Sequence, residues 1–159
     1  MVDSIHPINV AHSDSWTDAE VANVRVVTDF VYNLMNTHDF AYVRQTFGGH
    51  PYVQHSRSIP DGMEALIEFV GTFAKRFPDY TYDVKHVRAD GDYVTFHSHA
   101  TMRKAHRGDD TKGLNIIDTW RLKDGQIVEH WDAIQPLDTF MRFYVLVNGG
   151  AVRNKNGLF

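Results

Sequence analysis

Tyr80 to Met102 reads YTYDVKHVRADGDYVTFHSHATM, and its alternation decides the fold. Tyr80, Tyr82 and Val84 alternate with Thr81, Asp83 and Lys85, the period of a strand buried on one face. Asp90-Gly91-Asp92 is a hairpin turn, because glycine takes the positive φ that a tight reversal needs. In the strand that follows, Val94, Phe96, Ser98, Ala100 and Met102 share one face, and Tyr93, Thr95, His97, His99 and Thr101 the other. The pattern recurs downstream. Leu114 to Leu122 is a strand, Lys123-Asp124-Gly125 a turn, and Ile127 to Gln135 a last strand ended by Pro136.

Upstream of Pro78 the period is helical. Thr17 and Glu20 form a capping box, Trp16 and Val21 a hydrophobic staple, and Val21, Val24, Val27, Val31 and Leu34 predict a helix over about 18–36. Phe40, Val43 and Phe47 predict a short second helix that Gly48-Gly49 stops. Tyr52 to His55 reads as a short strand. Asp61 and Glu64 repeat the capping pattern before Leu66, Ile67, Val70, Phe73 and Phe77, a third helix closed by Pro78. Leu137 to Val147 is apolar but fits neither period. Residues 1–15 read as a flexible arm and 148–159 as an extended tail, leaving 1–159 as a single domain. Helices followed by a meander of strands imply an α+β fold, three helices packed on a strongly curved, mainly antiparallel sheet around a blind, mostly apolar pocket.

Composition narrows the function. The 159 residues are 43% hydrophobic and 23% charged, ordinary for a folded globule. With no cysteine there is no disulfide, thiolate metal site or catalytic thiol. A net charge of −4 offers no basic field for a phosphate backbone, so nucleic acid is not an expected partner. No apolar run approaches the ~20 residues that cross a bilayer, and Met1 to Asp14 carries no basic region or apolar signal core, so a cytoplasmic location is expected. The unusual number is ten histidines, whose side chains titrate near neutrality.

Strand faces gather the candidates. In the last strand Val128, His130, Asp132 and Ile134 share one face, and Asp118 stands on the apolar face of Ile116 and Trp120. A carboxyl group in such a setting has its charged form disfavoured, which moves its pKa toward the range useful for proton transfer. We therefore take Asp132, His130 and His99 as candidate catalytic residues. His55, His97, Asp118, Trp120 and Tyr52 are candidate substrate contacts. His97-Ser98-His99 with His130 and Asp132 has ligand types suited to zinc or iron, but no local ligand spacing supports a metal beyond the i,i+2 pair, and none is expected.

These residues carry a resemblance. Tyr52-Val53-Gln54-His55, Pro60-Asp61-Gly62, Ile117-Asp118-Thr119-Trp120-Arg121 and Asp124 to Asp132 resemble the SnoaL-like polyketide cyclase family of the nuclear transport factor 2-like superfamily. Asn154 to Phe159 resembles the tail of an aldol-condensation subgroup. The resemblance implies a cone-shaped barrel, a homodimer packed through the sheet, and a cofactor-free pocket. Its enzymes use acid/base chemistry: aldol cyclisation, isomerisation, dehydration or epoxide hydrolysis. The cyclases place their acid/base Asp four residues after the Trp, a position held here by Gln135, so Asp132 is the nearest substitute. The expected function is an acid/base lyase, isomerase or aldol cyclase acting on a small apolar carbonyl compound. The alternatives are a non-catalytic ligand-binding or dimerisation module, and a metal-dependent enzyme using the histidines.

Overall fold

The computed structural model describes residues 13–148 and 154–159. Thr17 Oγ1 accepts from the Glu20 amide (3.3 Å) and Glu20 Oε2 accepts from the Thr17 amide (2.8 Å), so the capping box starts helix α1, Asp18–Val31. Glu20 Oε1 also accepts from the Gly91 amide (2.9 Å), tying the start of the helix to a hairpin 71 residues away. The helix loosens into a π turn over Tyr32–Asn36 instead of running on as an α-helix to residue 36. That turn presents Asn36, whose side-chain amide accepts from the Tyr82 N–H (2.7 Å) and donates to the Tyr82 C=O (3.0 Å), as a neighbouring strand would.

Helix α2 spans Phe40–Phe47 and strand β1 only Val53–Gln54. Helix α3, Met63–Arg76, is not started by the predicted capping box. Its N-cap is Gly62, at φ 97° with no side-chain cap. Asp61 is occupied elsewhere, accepting from the Gln54 amide (2.9 Å), and Glu64 pairs with Arg44 (2.7 Å).

Strands β2 (Thr81–Asp90), β3 (Tyr93–Thr101), β4 (Leu114–Lys123) and β5 (Gln126–Pro136) form the antiparallel meander, and β1 adds in parallel to β5, giving the order β1-β5-β4-β3-β2. Asp124 and Gly125, at φ 52° and 74°, make the tight β4–β5 turn. Register shifts at Val84/His86 and at Arg121/Leu122 bend the sheet. The helices cover its concave face, where Phe30 of α1 meets Trp120 edge-on at 6.4 Å and Phe96 meets the same indole at 5.4 Å. The architecture is the expected α+β one.

Two segments differ from the sequence reading. Thr139–Asn148 is a helix, α4, with Asp138 Oδ1 accepting from the Met141 amide (2.9 Å) at its start. Its period was hidden because Phe140, Phe143, Leu146 and Val147 are apolar yet exposed, and only Met141 is buried. The expected tail begins inside this helix, and 149–153 lie outside the described residues. Asn154 to Phe159 does not trail free: the Asn154 side chain donates to Ile59 C=O (3.1 Å), and that of Asn156 to Gln54 C=O (3.0 Å) and to Asp61 Oδ1 (2.7 Å). Of the expected arm, 1–12 lie outside the described residues; the Trp16 amide bonds Ser13 C=O (3.1 Å) ahead of α1. Among the described residues no helix is long and apolar enough to cross a membrane.

Candidate functional site

Strand register decides which polar side chains meet. Phe96, Asp118 and Asp132 sit opposite one another across β3, β4 and β5, and the neighbouring rung is Val94, Trp120 and His130, with Gln54 of β1 beside His130. Val94, Phe96, Trp120 and Gln54 are buried, so these rungs face the concave, helix-covered side. Asp118 (3% exposed) and His130 (5%) are thus embedded among hydrocarbon, while Asp132 on the same face is only half-buried. Ile134, one rung further, is 49% exposed, so the concave face opens toward solvent on the Asp132 side.

The polar atoms form a relay. Asp118 Oδ1 lies 3.1 Å from His130 Nε2, and His130 Nδ1 lies 2.9 Å from Gln54 Oε1. An amide oxygen only accepts, so Nδ1 carries a proton and Nε2 faces the carboxylate. One further proton then occupies the Asp118–His130 hydrogen bond, leaving the pair either carboxylic acid and imidazole or carboxylate and imidazolium. Tyr52 and Trp120 both stack on the imidazole, centroids 6.5 and 5.2 Å away, and restrain the ring in the plane that this geometry needs.

Burial pushes the Asp118 carboxyl above its ordinary range; the hydrogen bond and charge of His130 oppose that rise, nearby Asp132 adds to it, and the Tyr82 hydroxyl works with His130 against it. Burial likewise raises the phenols of Tyr52 and Tyr82, with the Asp118 charge adding to both, so each stays a neutral hydroxyl. Four buried polar atoms on or beside this face have no partner: Asp118 Oδ2, Tyr52 Oη, Gln54 Nε2 and Ser98 Oγ. In a well-ordered protein interior such atoms are rare, and their concentration marks a place where a ligand's polar group can be received. One donor atom each from Asp118, His130 and Asp132 also lies within 4.8 Å of the others, a nitrogen-and-carboxylate set that suits a divalent cation.

Of the residues singled out from sequence, the structure brings Asp118, Trp120, His130, Asp132 and Tyr52 together. It does not bring His55, His97 and His99 to them. His97 and His99 follow the parity of Tyr93 and Thr95 and lie on the convex face. There His97 Nε2 meets Asn115 Oδ1 (2.6 Å) and His99 Nε2 meets Lys112 C=O (2.7 Å). His55 also lies there, stacked on Trp131 at 4.7 Å and bonded to Glu129 Oε1 (3.0 Å) and the Gly157 carbonyl (3.2 Å). Arg121 grips the same carboxylate at 2.6 Å, so although burial pushes Glu129 up, the His55 and Arg121 bonds outweigh it and hold it below its ordinary value. Gln135 is exposed on that convex side, bonded to Asn115 (3.1 Å).

Gln54 and the Tyr82 hydroxyl were not singled out from sequence. The signal for Gln54 is parity: alternation over Tyr52 to His55 puts Tyr52 and Gln54 on one face and Val53 and His55 on the other.

The family profile described as a SnoaL-like domain matches residues 27–130. No curated protein matches the chain. Among solved structures, a candidate polyketide cyclase from Bacillus cereus superposes with a TM-score of 0.65 at 21% identity, covering 85% of this chain and 89% of its own. A candidate SnoaL-like polyketide cyclase from a Jannaschia species gives 0.59 at 18%, covering 87% and 99%. A protein from a soil-derived mobile gene cassette gives 0.61 at 16%, covering 80% and 99%. At these identities the likeness speaks for the fold.

Proposed function

Because the chain belongs to the SnoaL-like domain family, we propose that it is a cofactor-independent acid/base enzyme of the lyase, isomerase or aldol-cyclase kind. Its substrate would be a small apolar carbonyl compound received against the concave face. The observation that carries the reading is Asp118: its Oδ1 engages His130 while its buried Oδ2 has no partner. With Asp118 as carboxylate and His130 as imidazolium, Oδ2 takes a proton from the carbon next to the substrate carbonyl. The electrons of the broken C–H bond move onto the carbonyl oxygen, and the neutral Tyr52 hydroxyl donates a hydrogen bond to the enolate. Asp132, nearer the opening, handles the second proton transfer. Return of the proton to another carbon is isomerisation; attack of the enolate carbon on a second carbonyl is aldol closure.

Turnover of a panel of β-keto compounds tests this. Wild type should convert at least one of them, and Asp118→Asn and Asp132→Asn should each slow it by about 100-fold or more. Equal rates in all three would reject the assignment. A ligand that raises the melting temperature without being converted would instead favour a binding module. The donor atoms converging within 4.8 Å favour one second reading, a metal-dependent reaction, which elemental analysis of purified protein decides. The exposed Tyr93 (45%) and Ile117 (38%) on the convex sheet face support dimerisation through that face, which sedimentation measures.

A further inference from the structure

A cavity of about 470 Å³ lies past the end of β3, between the loop following it and the start of α4. Its walls differ from the concave face. Arg103, His106, Lys112 and Arg142 line it, together with apolar side chains including Met102 and Met141. Three permanent cations from a chain with only 16 Lys and Arg, and a net charge of −4, are concentrated at one opening. Among the described residues none of the four makes a salt bridge; Arg103 lies over the Phe140 ring at 6.0 Å, and Lys112 feels the charge of Asp138 without pairing with it.

The lining holds one carboxylate, Asp138, and it is spent on the backbone: Oδ2 accepts from the Gly113 amide (2.8 Å) and Oδ1 from the Met141 amide (2.9 Å). Asp109 carries charge close to Lys112 and His106 but bonds Thr111. The corner is tight: Gly113 sits at φ 83° with its α-carbon so close to β3 that a Cβ would fall 2.1 Å from Ala100 O, so only glycine fits there. Among the described residues the cations therefore present donors that no salt bridge occupies. Guanidinium groups match carboxylate and phosphate oxygens in geometry as well as charge.

Position links this cavity to the relay. Met102 continues the concave-face parity of Phe96, Ser98 and Ala100, and Ala100 pairs with Leu114 of β4. From Gly113 to Asp118 is a run of about 17 Å at strand rise. The unpartnered Ser98 Oγ lies on the rung between.

We propose that this cavity binds the anionic end, a carboxylate or a phosphate, of a substrate whose apolar body runs along the concave face toward Asp118. The substrate class is thus an anionic amphiphile with its reacting carbonyl within about 17 Å of the charge. This rests on the acid/base reading for the substrate's other end, but the anion site stands or falls by itself.

Titration calorimetry on the full chain with decanoate, decyl phosphate and decanol separates the two. Both charged probes should bind wild type at least about tenfold more tightly than decanol, and Arg103→Gln/Arg142→Gln should erase that preference. Both substituted side chains are exposed, so the fold should tolerate the changes. Whichever charged probe binds more tightly names the carboxylate or the phosphate as the natural group. Decanol binding as tightly as the charged probes, or a preference that survives the double substitution, overturns the proposal. Asp118→Asn should leave the preference intact. If it does while turnover is also unchanged, the acid/base reading fails and the anion site survives.

Discussion

β5 contributes one member to each of two carboxylate–imidazole pairs on opposite faces of one sheet. On the concave side Asp118 and His130 approach to 3.1 Å; on the convex side Glu129 and His55 approach to 3.0 Å. The contact distances are nearly the same and the environments are not. Asp118 has one partnered oxygen, and burial drives its carboxyl up. Glu129 is gripped on both oxygens, by His55 and Arg121, and is held down. A carboxylate whose two oxygens are both engaged by donors, one of them a guanidinium, has no reason to give or take a proton at neutral pH. One that is desolvated, with an oxygen to spare, does. What separates a reactive pair from a structural one is unmet bonding capacity in a dry place.

The largest expected effect tests that contrast in turnover. Asp118→Asn should lower the rate on a converted carbonyl compound by about 10²–10⁴-fold, the range for removing a general acid or base, whereas Glu129→Gln should change it by less than about threefold. Comparable losses from both would break the distinction between the faces.

The next effect is in stability against pH, and the two carboxylates have opposite signs. Asp118 has a raised folded pKa, so its contribution is present below its unfolded value of ~3.9 and is lost as pH rises through the folded value. Glu129 has a lowered folded pKa, so its contribution is present above ~4.3 and is lost as pH falls through the folded value. Urea midpoints between pH 3 and 8 should therefore show Asp118→Asn gaining on wild type as pH rises above about 4. Glu129→Gln should gain on wild type only as pH falls below about 4. Parallel curves for the two variants would show that the environments are alike.

Much of this was legible in the residues. Alternation in Tyr93 to Met102 and the two Asp-Gly turns specify the meander, since each slip of one residue would expose Val94, Phe96 and Ala100 together. The same alternation already excluded His97 and His99 from the concave face: the apolar set owns that side, so the histidines between its members must point away. Grouping them with His130 treated residue type as stronger evidence than parity. Tyr52 and His55 stand in the same conflict, three residues apart and flanking the two-residue strand β1. What could not be read locally were contacts of high sequence separation. Nothing near Asp61 says that it will hold Gln54 and Asn156 instead of capping α3, and Asn156 is 102 residues from the carbonyl it binds.

That long-range clamp gives a smaller effect. Both backbone groups of Gln54 are held, its N–H by Asp61 and its C=O by Asn156, and the Gln54 side chain sets the proton on His130 Nδ1. Asn156→Ala removes two hydrogen bonds at the β1 edge and should cost about 1–2 kcal/mol in urea unfolding. If the clamp also serves the concave pair, the ¹⁵N shifts of His130 should move toward those of a mixed tautomer. A loss of stability with unchanged ring shifts would confine the clamp to holding the loop.

The smallest effect belongs to the two histidines that most resemble a site. His99 is buried to 8% exposure but has its bond, Nε2 to the Lys112 carbonyl, within its own side of the sheet, and His97 has Asn115. A glutamine at either place keeps a donor of similar reach. Changes below about 1 kcal/mol in stability are expected for His97→Gln and His99→Gln. Turnover should stay within about twofold, because a β-sheet in pleated register gives these side chains no path to the other face. His130→Gln sharpens the test: it keeps hydrogen-bonding ability while removing the titratable nitrogen, so it should abolish turnover that the other two retain. If His99→Gln fell with it, the sheet would not be insulating one face from the other, and the division between a reactive and a structural pair would have to be drawn elsewhere.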